Sequence, residues 1–190
     1  MHFLKKILLS SSILFSIFSS PIFANPRILK VGAIPDQNQD VLNKRFNLFS
    51  KELSKQLDVK VEYVPVTNYV AAVTGFRTKD LDLVWFGGLT GVQARLQTPD
   101  SIVIAQRGID KQFKSVFIVN KNLELNQISN IKDLKKLKNL RFTFGSKNST
   151  SGRLMPEYFL NQAGVEIKHF KGRKAGFSGS HDATIAMVNS

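Results

Sequence analysis

Ser149, Thr150 and Ser151 stand between a strand-like run, Leu140 to Phe144, that breaks at Gly145, and an apolar-periodic segment that follows Gly152. Consecutive hydroxyls at a helix start have two physical readings. The first turn of a helix carries N–H groups with no acceptor inside the helix, and the macrodipole places partial positive charge there. Hydroxyls beside those donors suit a tetrahedral oxyanion, because they add hydrogen bonds without adding a competing charge. The same residue types also cap helices in the absence of any ligand. On this segment alone both readings stay open.

Other loops carry matching chemistry: Ile34-Pro35-Asp36, Pro65 to Tyr69, Trp85 to Thr90, and Gly176 to Asp182. Glycines let backbone approach a ligand closely, hydroxyls donate, and Tyr69, Trp85 or Phe86 can wall a pocket. Taken singly, each of these aromatics is better explained by packing. His181 either caps its own helix or touches a ligand. Enzyme motifs mostly fail. Gly145 to Gly152 is too long for a phosphate-binding P-loop, and Arg153 stands where that loop needs Lys followed by Ser or Thr. Gly176-Phe177-Ser178-Gly179-Ser180 lacks the second glycine of a nucleophile elbow. With no cysteine, and only His169 and His181 beyond the leader, no zinc site is expected and no cofactor is implied. Asp80 and Asp82 flank a strand and read as its turn rather than as an acid–base pair. The chemistry on offer is that of binding.

The elements that must position these loops alternate between strand and helix. Ile28 to Ile34 reads as a buried strand, and Asp40 to Leu57 as an amphipathic helix with Leu42, Phe46, Phe49, Leu53 and Leu57 on one face. Val59 to Val66 alternates as a strand, Asn68 caps a helix reaching Lys79, and Leu81 to Phe86 is a short strand stopping at Gly87-Gly88. A brief helix to Leu96 and a strand at Ser101 to Ala105 follow. After Arg107-Gly108 the pattern restarts, with strands at Ser115 to Val119, Leu140 to Phe144 and, weakly, Glu166 to Phe170. Helices are expected at Asn130 to Leu137, Ser151 to Ala163 and Ser180 to Val188. This rhythm predicts an α/β fold with parallel sheet and right-handed crossovers. In such sheets ligands sit beyond the carboxyl ends of the strands, where all of the loops above fall.

Residues 1–24 are not read as fold. Lys5 and Lys6, the apolar Ile7 to Phe18, and Pro21-Ile22-Phe23-Ala24 before Asn25 have the layout of a secretory signal peptide cleaved after Ala24. The apolar stretch is short for a membrane span. Export implies an oxidising compartment, yet no cysteine is present to form a disulfide or carry a lipid, so stability rests on a packed core. From Asn25 there are 166 residues, enough for one domain or two small lobes, here 25–106 and 107–190. The formal charge of +13 falls to +11 without the leader lysines. The basic residues are scattered, and the densest cluster, Lys132, Lys135, Lys136, Lys138 and Arg141, has little aromatic interleaving. It reads as a solvated face and argues against nucleic-acid binding.

Taken in order, Val64-Pro65-Val66-Thr67-Asn68-Tyr69-Val70-Ala71-Ala72, Asp80 to Gly88, Ser149-Thr150-Ser151-Gly152 and Gly179-Ser180-His181-Asp182-Ala183 resemble the periplasmic phosphonate- and phosphite-type binding proteins of ABC transporters. Within that group, Trp85 to Arg95 is similar to the branch labelled selenate-binding. The likeness runs collinearly over nearly all of the chain after the leader. It implies a type II periplasmic binding-protein fold whose two lobes close on a small oxyanion, delivered to a permease in the inner membrane, without enzymatic activity. It also implies that Tyr69, Trp85 or Phe86, Ser149, Thr150, Ser151 and His181 lie at the ligand. The family continues beyond the helix that follows His181, so the second lobe is expected to be incomplete here. The alternative from another class is a secreted enzyme acting on phosphate or sulfate esters with the same anion cradle. Which oxyanion is bound stays open among phosphonate, phosphite, phosphate and selenate.

Overall fold

The structure, a computed structural model, describes residues 27–190. The expected signal peptide lies outside the described residues. Strand β1 (Leu29–Ala33) is central to the first sheet, and β2 (Val61–Tyr63) and β3 (Leu83–Trp85) flank it, both parallel to it. Leu29 pairs with Val61, and Ala33 pairs with Trp85. Because β1 is covered on both faces, Val31 and Ala33 are each 1% exposed, and the side-chain-free Gly32 between them makes room for Leu81. A Cβ on Gly32 would stand 2.6 Å from a Leu81 methyl.

Three helices cross over between and after these strands. Helix α1 (Gln39–Leu57) starts at Asn38, whose side chain accepts the Asp40 N–H at 2.8 Å, and it buries Leu42 and Phe46 against β1 and β2. Its last residue is followed by Asp58 in the left-handed region, which ends the helix. Helix α2 (Tyr69–Arg77) is capped by Asn68, which accepts from Ala71 N–H at 2.8 Å. Helix α3 (Gly88–Gln97) begins immediately after β3. These boundaries agree with the sequence expectation, because each is set by a local cap and an apolar period rather than by distant contacts.

A second, smaller sheet pairs β4 (Thr143–Phe144) with β5 (Gly176–Phe177), again in parallel. Helices α4 (Met155–Gln162) and α5 (His181–Asn189) follow these two strands. Its core gathers Leu134, Leu137, Phe144, Leu160, Val165 and Phe170, with Phe142 stacked on Phe170 at a 4.4 Å centroid separation. Burying a side chain such as Phe144 or Leu160 stabilises by roughly 1.5–3 kcal/mol, and the apolar groups just named anchor this unit. The fold is therefore α/β with parallel sheets.

Several elements depart from expectation, most of them after residue 106. Ser101 to Ala105 and Ser115 to Val119 form no ladder with any described residue, and Ile102 and Val116 are 80% and 78% exposed. Their apolar residues specify a face but not a hydrogen-bonding partner, and a strand requires both. The Asn130-capped helix is a 3₁₀ turn, Ile131–Leu137, and the weak strand at Glu166 to Phe170 is another, Ile167–His169. In the latter, the His169 ring accepts the Glu166 N–H at 2.9 Å and Phe170 is drawn into the core, which a strand could not satisfy together. The helix expected from Ser151 opens instead as a π-turn, Thr150–Leu154, before α4.

Candidate functional site

The loop between β4 and α4 is folded on itself by two glycines. Gly145 N–H donates to Gly152 C=O at 2.8 Å, and a Cβ on Gly145 would stand 3.2 Å from the Gly152 Cα, so the two segments touch only because neither has a side chain. That closure presents Ser149 as the cap. Its hydroxyl accepts Gly152 N–H at 2.9 Å, and its carbonyl takes both Arg153 N–H and Leu154 N–H. The N–H groups of Thr150 and Ser151 have no acceptor among the described residues. The capping reading thus holds for Ser149, which closes the turn, while its two neighbours keep backbone donors without a described acceptor.

The helix starts of both sheets meet at this loop. Thr150 Oγ1 accepts the Leu89 N–H of α3 at 2.8 Å, and Asn148 Nδ2 donates to the Gln93 side chain at 3.2 Å. Ser151 Oγ lies 3.5 Å from His181 Nε2, at the start of α5. His181 N–H in turn donates to the Asp36 C=O, at the carboxyl end of β1, at 3.1 Å. Tyr69, the first residue of α2, is 3% exposed, with its hydroxyl beside Ser149. Burial, helped by the negative charge of Asp36, pushes the Tyr69 phenol up to about 12 against the pull of Ser149, so it remains a proton donor at any physiological pH. The starts of α2, α3, α5 and the turn before α4 thus face one region, each with its dipole positive end toward it.

The remaining expected residues are divided. Trp85 ends β3, packs against the Val31, Ala33 and Leu42 cluster and carries the Arg107 guanidinium over its ring at 4.9 Å. Phe86 meets Phe76 edge to face at 5.7 Å and packs with the Ile34, Tyr69 and Ala72 cluster, so its part is to hold Tyr69 in place. Sequence reasoning named Asp36, Arg107 and Arg153 but gave them no role at the site. Asp36 is held above its ordinary range by burial, opposed by the charge of His181, by its own backbone N–H, and by Arg45 and Arg107. Its position at the end of the central parallel strand was the available signal. Arg107 grips Asp110, with Nη2 to Oδ1 at 2.7 Å, and Arg153 is paired with Glu157 at 2.8 Å, so neither guanidinium is a free cation. The arrangement offers neutral donors, backbone N–H and hydroxyl, to an anion. No cluster of His, Cys, Asp or Glu suited to a metal occurs among the described residues.

Residues 31–190 match the family described as ABC transporter, phosphonate, periplasmic substrate-binding protein. The chain belongs to this family. It is 87% identical over 187 residues to the probable ABC transporter phosphite binding protein PhnD1 of Prochlorococcus marinus strain MIT 9301, covering 98% of this chain and 63% of that protein. A solved structure of PhnD1 from the same organism, in complex with methylphosphonate, superposes with a TM-score of 0.85 at 89% identity, over 87% of this chain and 61% of that one. A binding protein component of an ABC phosphonate transporter from Pseudomonas aeruginosa shares the fold, with a TM-score of 0.64 at 22% identity, over 86% of this chain and 54% of that one. The chain thus spans about three-fifths of the length of its Prochlorococcus relative. In this phosphonate-binding family the parallel strands and the helix starts beyond their ends are accounted for together.

Proposed function

We propose that this chain is the solute-binding component of an ABC importer, exported to the periplasm by residues 1–24, and that it holds a small tetrahedral oxyanion of the phosphonate or phosphite class. The observation that carries the reading is the open turn at Thr150 and Ser151, whose N–H groups have no described acceptor, with the Ser151 hydroxyl 3.5 Å from His181 Nε2 and the Tyr69 hydroxyl beside Ser149. Ser149 supports the cradle as its cap, and Trp85 walls it. In this reading 25–106 and 107–190 are the two lobes, and the permease of the inner membrane receives the loaded protein. The relatives' names, one a phosphite binding protein and one a structure holding methylphosphonate, favour phosphorus oxyanions over selenate.

The ester-cleaving alternative has little to support it. Ser151 and His181 are at the outer limit of hydrogen bonding, and no described residue accepts a hydrogen bond from the other ring nitrogen of His181 to orient it as a base. Calorimetry of the purified protein with methylphosphonate, phosphite, phosphate, sulfate and selenate tests the proposal. One anion per chain, bound without turnover and with a phosphorus anion preferred, is expected. Absence of heat with every anion would overturn it.

A further inference from the structure

Two consecutive residues at the start of α5 grip the loop that leaves β1. His181 N–H donates to the Asp36 carbonyl at 3.1 Å, and the Asp182 carboxylate accepts the Asn38 N–H at 2.6 Å. The partners are separated by 144 residues in the Asp182 case, and they join the first sheet unit to the second. Asp182 also sits in the first turn of α5, where a carboxylate is favoured by the helix dipole. Asn38 is the N-cap of α1, so its N–H belongs to a rigid helix start rather than to a loose loop. The grip therefore connects two rigid helix starts, with the His181 ring between them reaching toward Ser151.

We propose that Asp182 is a positioning residue for anion binding: its bond to Asn38 N–H clasps the two sheet units together and holds the His181 ring over the open turn at Ser151. The role rests on the anion-binding reading above and adds to it a residue that contacts no anion. A clasp that forms as the units come together acts after encounter. Its loss therefore appears in dissociation, with association nearly unchanged. A charge-assisted hydrogen bond of this kind corresponds to about a tenfold or larger change in affinity. Asp182→Asn keeps an acceptor oxygen while removing the charge, and Asp182→Ala removes both.

The test is stopped-flow binding of methylphosphonate to wild type and both variants, together with distances between spin labels. The chain has no cysteine, so Lys51→Cys on α1 and Lys168→Cys in the second unit give a clean label pair. Asp182→Ala is expected to raise the dissociation rate about tenfold and to broaden the distance distribution, with Asp182→Asn falling between it and wild type. Equal dissociation rates and equal distances for wild type and Asp182→Ala would overturn the clasp. So would a loss confined to the urea midpoint. If the wild type binds no anion, the anion reading falls, and broadening of the label distances in Asp182→Ala still upholds the clasp itself, whereas unchanged distances sink it.

Discussion

The starts of α3 and of the turn before α4 face each other across Thr150, and they spend their hydroxyls differently. At α3, Thr90 Oγ1 accepts Gly87 N–H at 3.1 Å and its O–H donates to the Gly87 carbonyl at 3.2 Å, with Thr90 fully buried. Leu89 N–H is taken by Thr150. The Gly88 and Thr90 N–H groups of that start have no acceptor among the described residues. At the other start the Ser149 hydroxyl satisfies only Gly152, and the N–H groups of Thr150 and Ser151 are likewise unpaired among the described residues. Both starts follow a parallel strand and both are rich in glycine and hydroxyls, so composition does not separate them. What separates them is where the hydroxyls are spent: at α3, Thr90 serves its own N-cap glycine and Thr150 takes Leu89 N–H, whereas at the turn Ser149 takes Gly152 N–H and the Ser151 hydroxyl has no described partner nearer than His181 Nε2 at 3.5 Å.

The strongest break of this comparison is expected from Ser151→Ala. Removing a hydroxyl bonded to an anion costs ~1.5–3 kcal/mol, or about ten- to a hundredfold in affinity for methylphosphonate. The urea midpoint should stay put, because Ser151 closes no described turn. Unchanged affinity, measured by titration calorimetry, would make the open turn an ordinary helix start.

Thr90→Val is the mirror experiment at the start of α3. It leaves Gly87 N–H without its acceptor in a half-buried place, at a cost of roughly 0.5–1.5 kcal/mol in stability. Anion affinity should change little. A variant with native stability and weakened binding would show that the two starts are not specialised as described. Between these limits stands Ser149→Ala, which loses a cap and should lower stability by ~1 kcal/mol, with a drop in affinity smaller than that of Ser151→Ala because the backbone donors remain. Chemical denaturation and calorimetry on the same samples would place it.

Much of this contrast was legible in residue types and some of it was not. Asn38 and Asn68 announced α1 and α2, since a cap and an apolar period are written within a few residues. The run Ser149 to Ser151 was visible as well, but its division of labour depends on the π-turn, which follows from Gly145 meeting Gly152 across the loop. Ser115 to Val119 has the composition of a strand and no described partner, a matter that local sequence does not encode. Phe86 was grouped with Trp85 as a pocket wall, and the two pack into different clusters, Trp85 with Val31 and Leu42, Phe86 with Ile34, Tyr69 and Phe76, a division that residue type alone does not encode. Asp36 was placed in a candidate loop but given no role. A carboxylate is an unexpected choice beside an anion site, and only its burial near His181, Tyr69 and Arg107 reveals it.

That carboxylate gives the smallest expected effect. Burial, the largest influence, raises Asp36 above its ordinary 3.8 even though His181, Arg45 and Arg107 oppose it. In the window from 3.8 up to its raised value, the folded protein therefore holds a proton that the unfolded chain has released. Stability from this group is fully present below that window and is lost as pH rises through the folded value. Asp36→Asn removes the titration while keeping the shape. The ligand-free variant should thus be slightly more stable than wild type at pH 7, with the difference shrinking toward zero as the pH is lowered below the window. Asp82, which Lys30 N–H and Arg27 hold in the opposite direction, is common to both proteins and cancels in the difference. Urea midpoints from pH 3 to pH 7 measure it. A variant less stable than wild type at neutral pH would mean that Asp36 is held by attraction to the cations around it, and the region beside the open turn would then be richer in free positive charge than its paired guanidinium groups indicate.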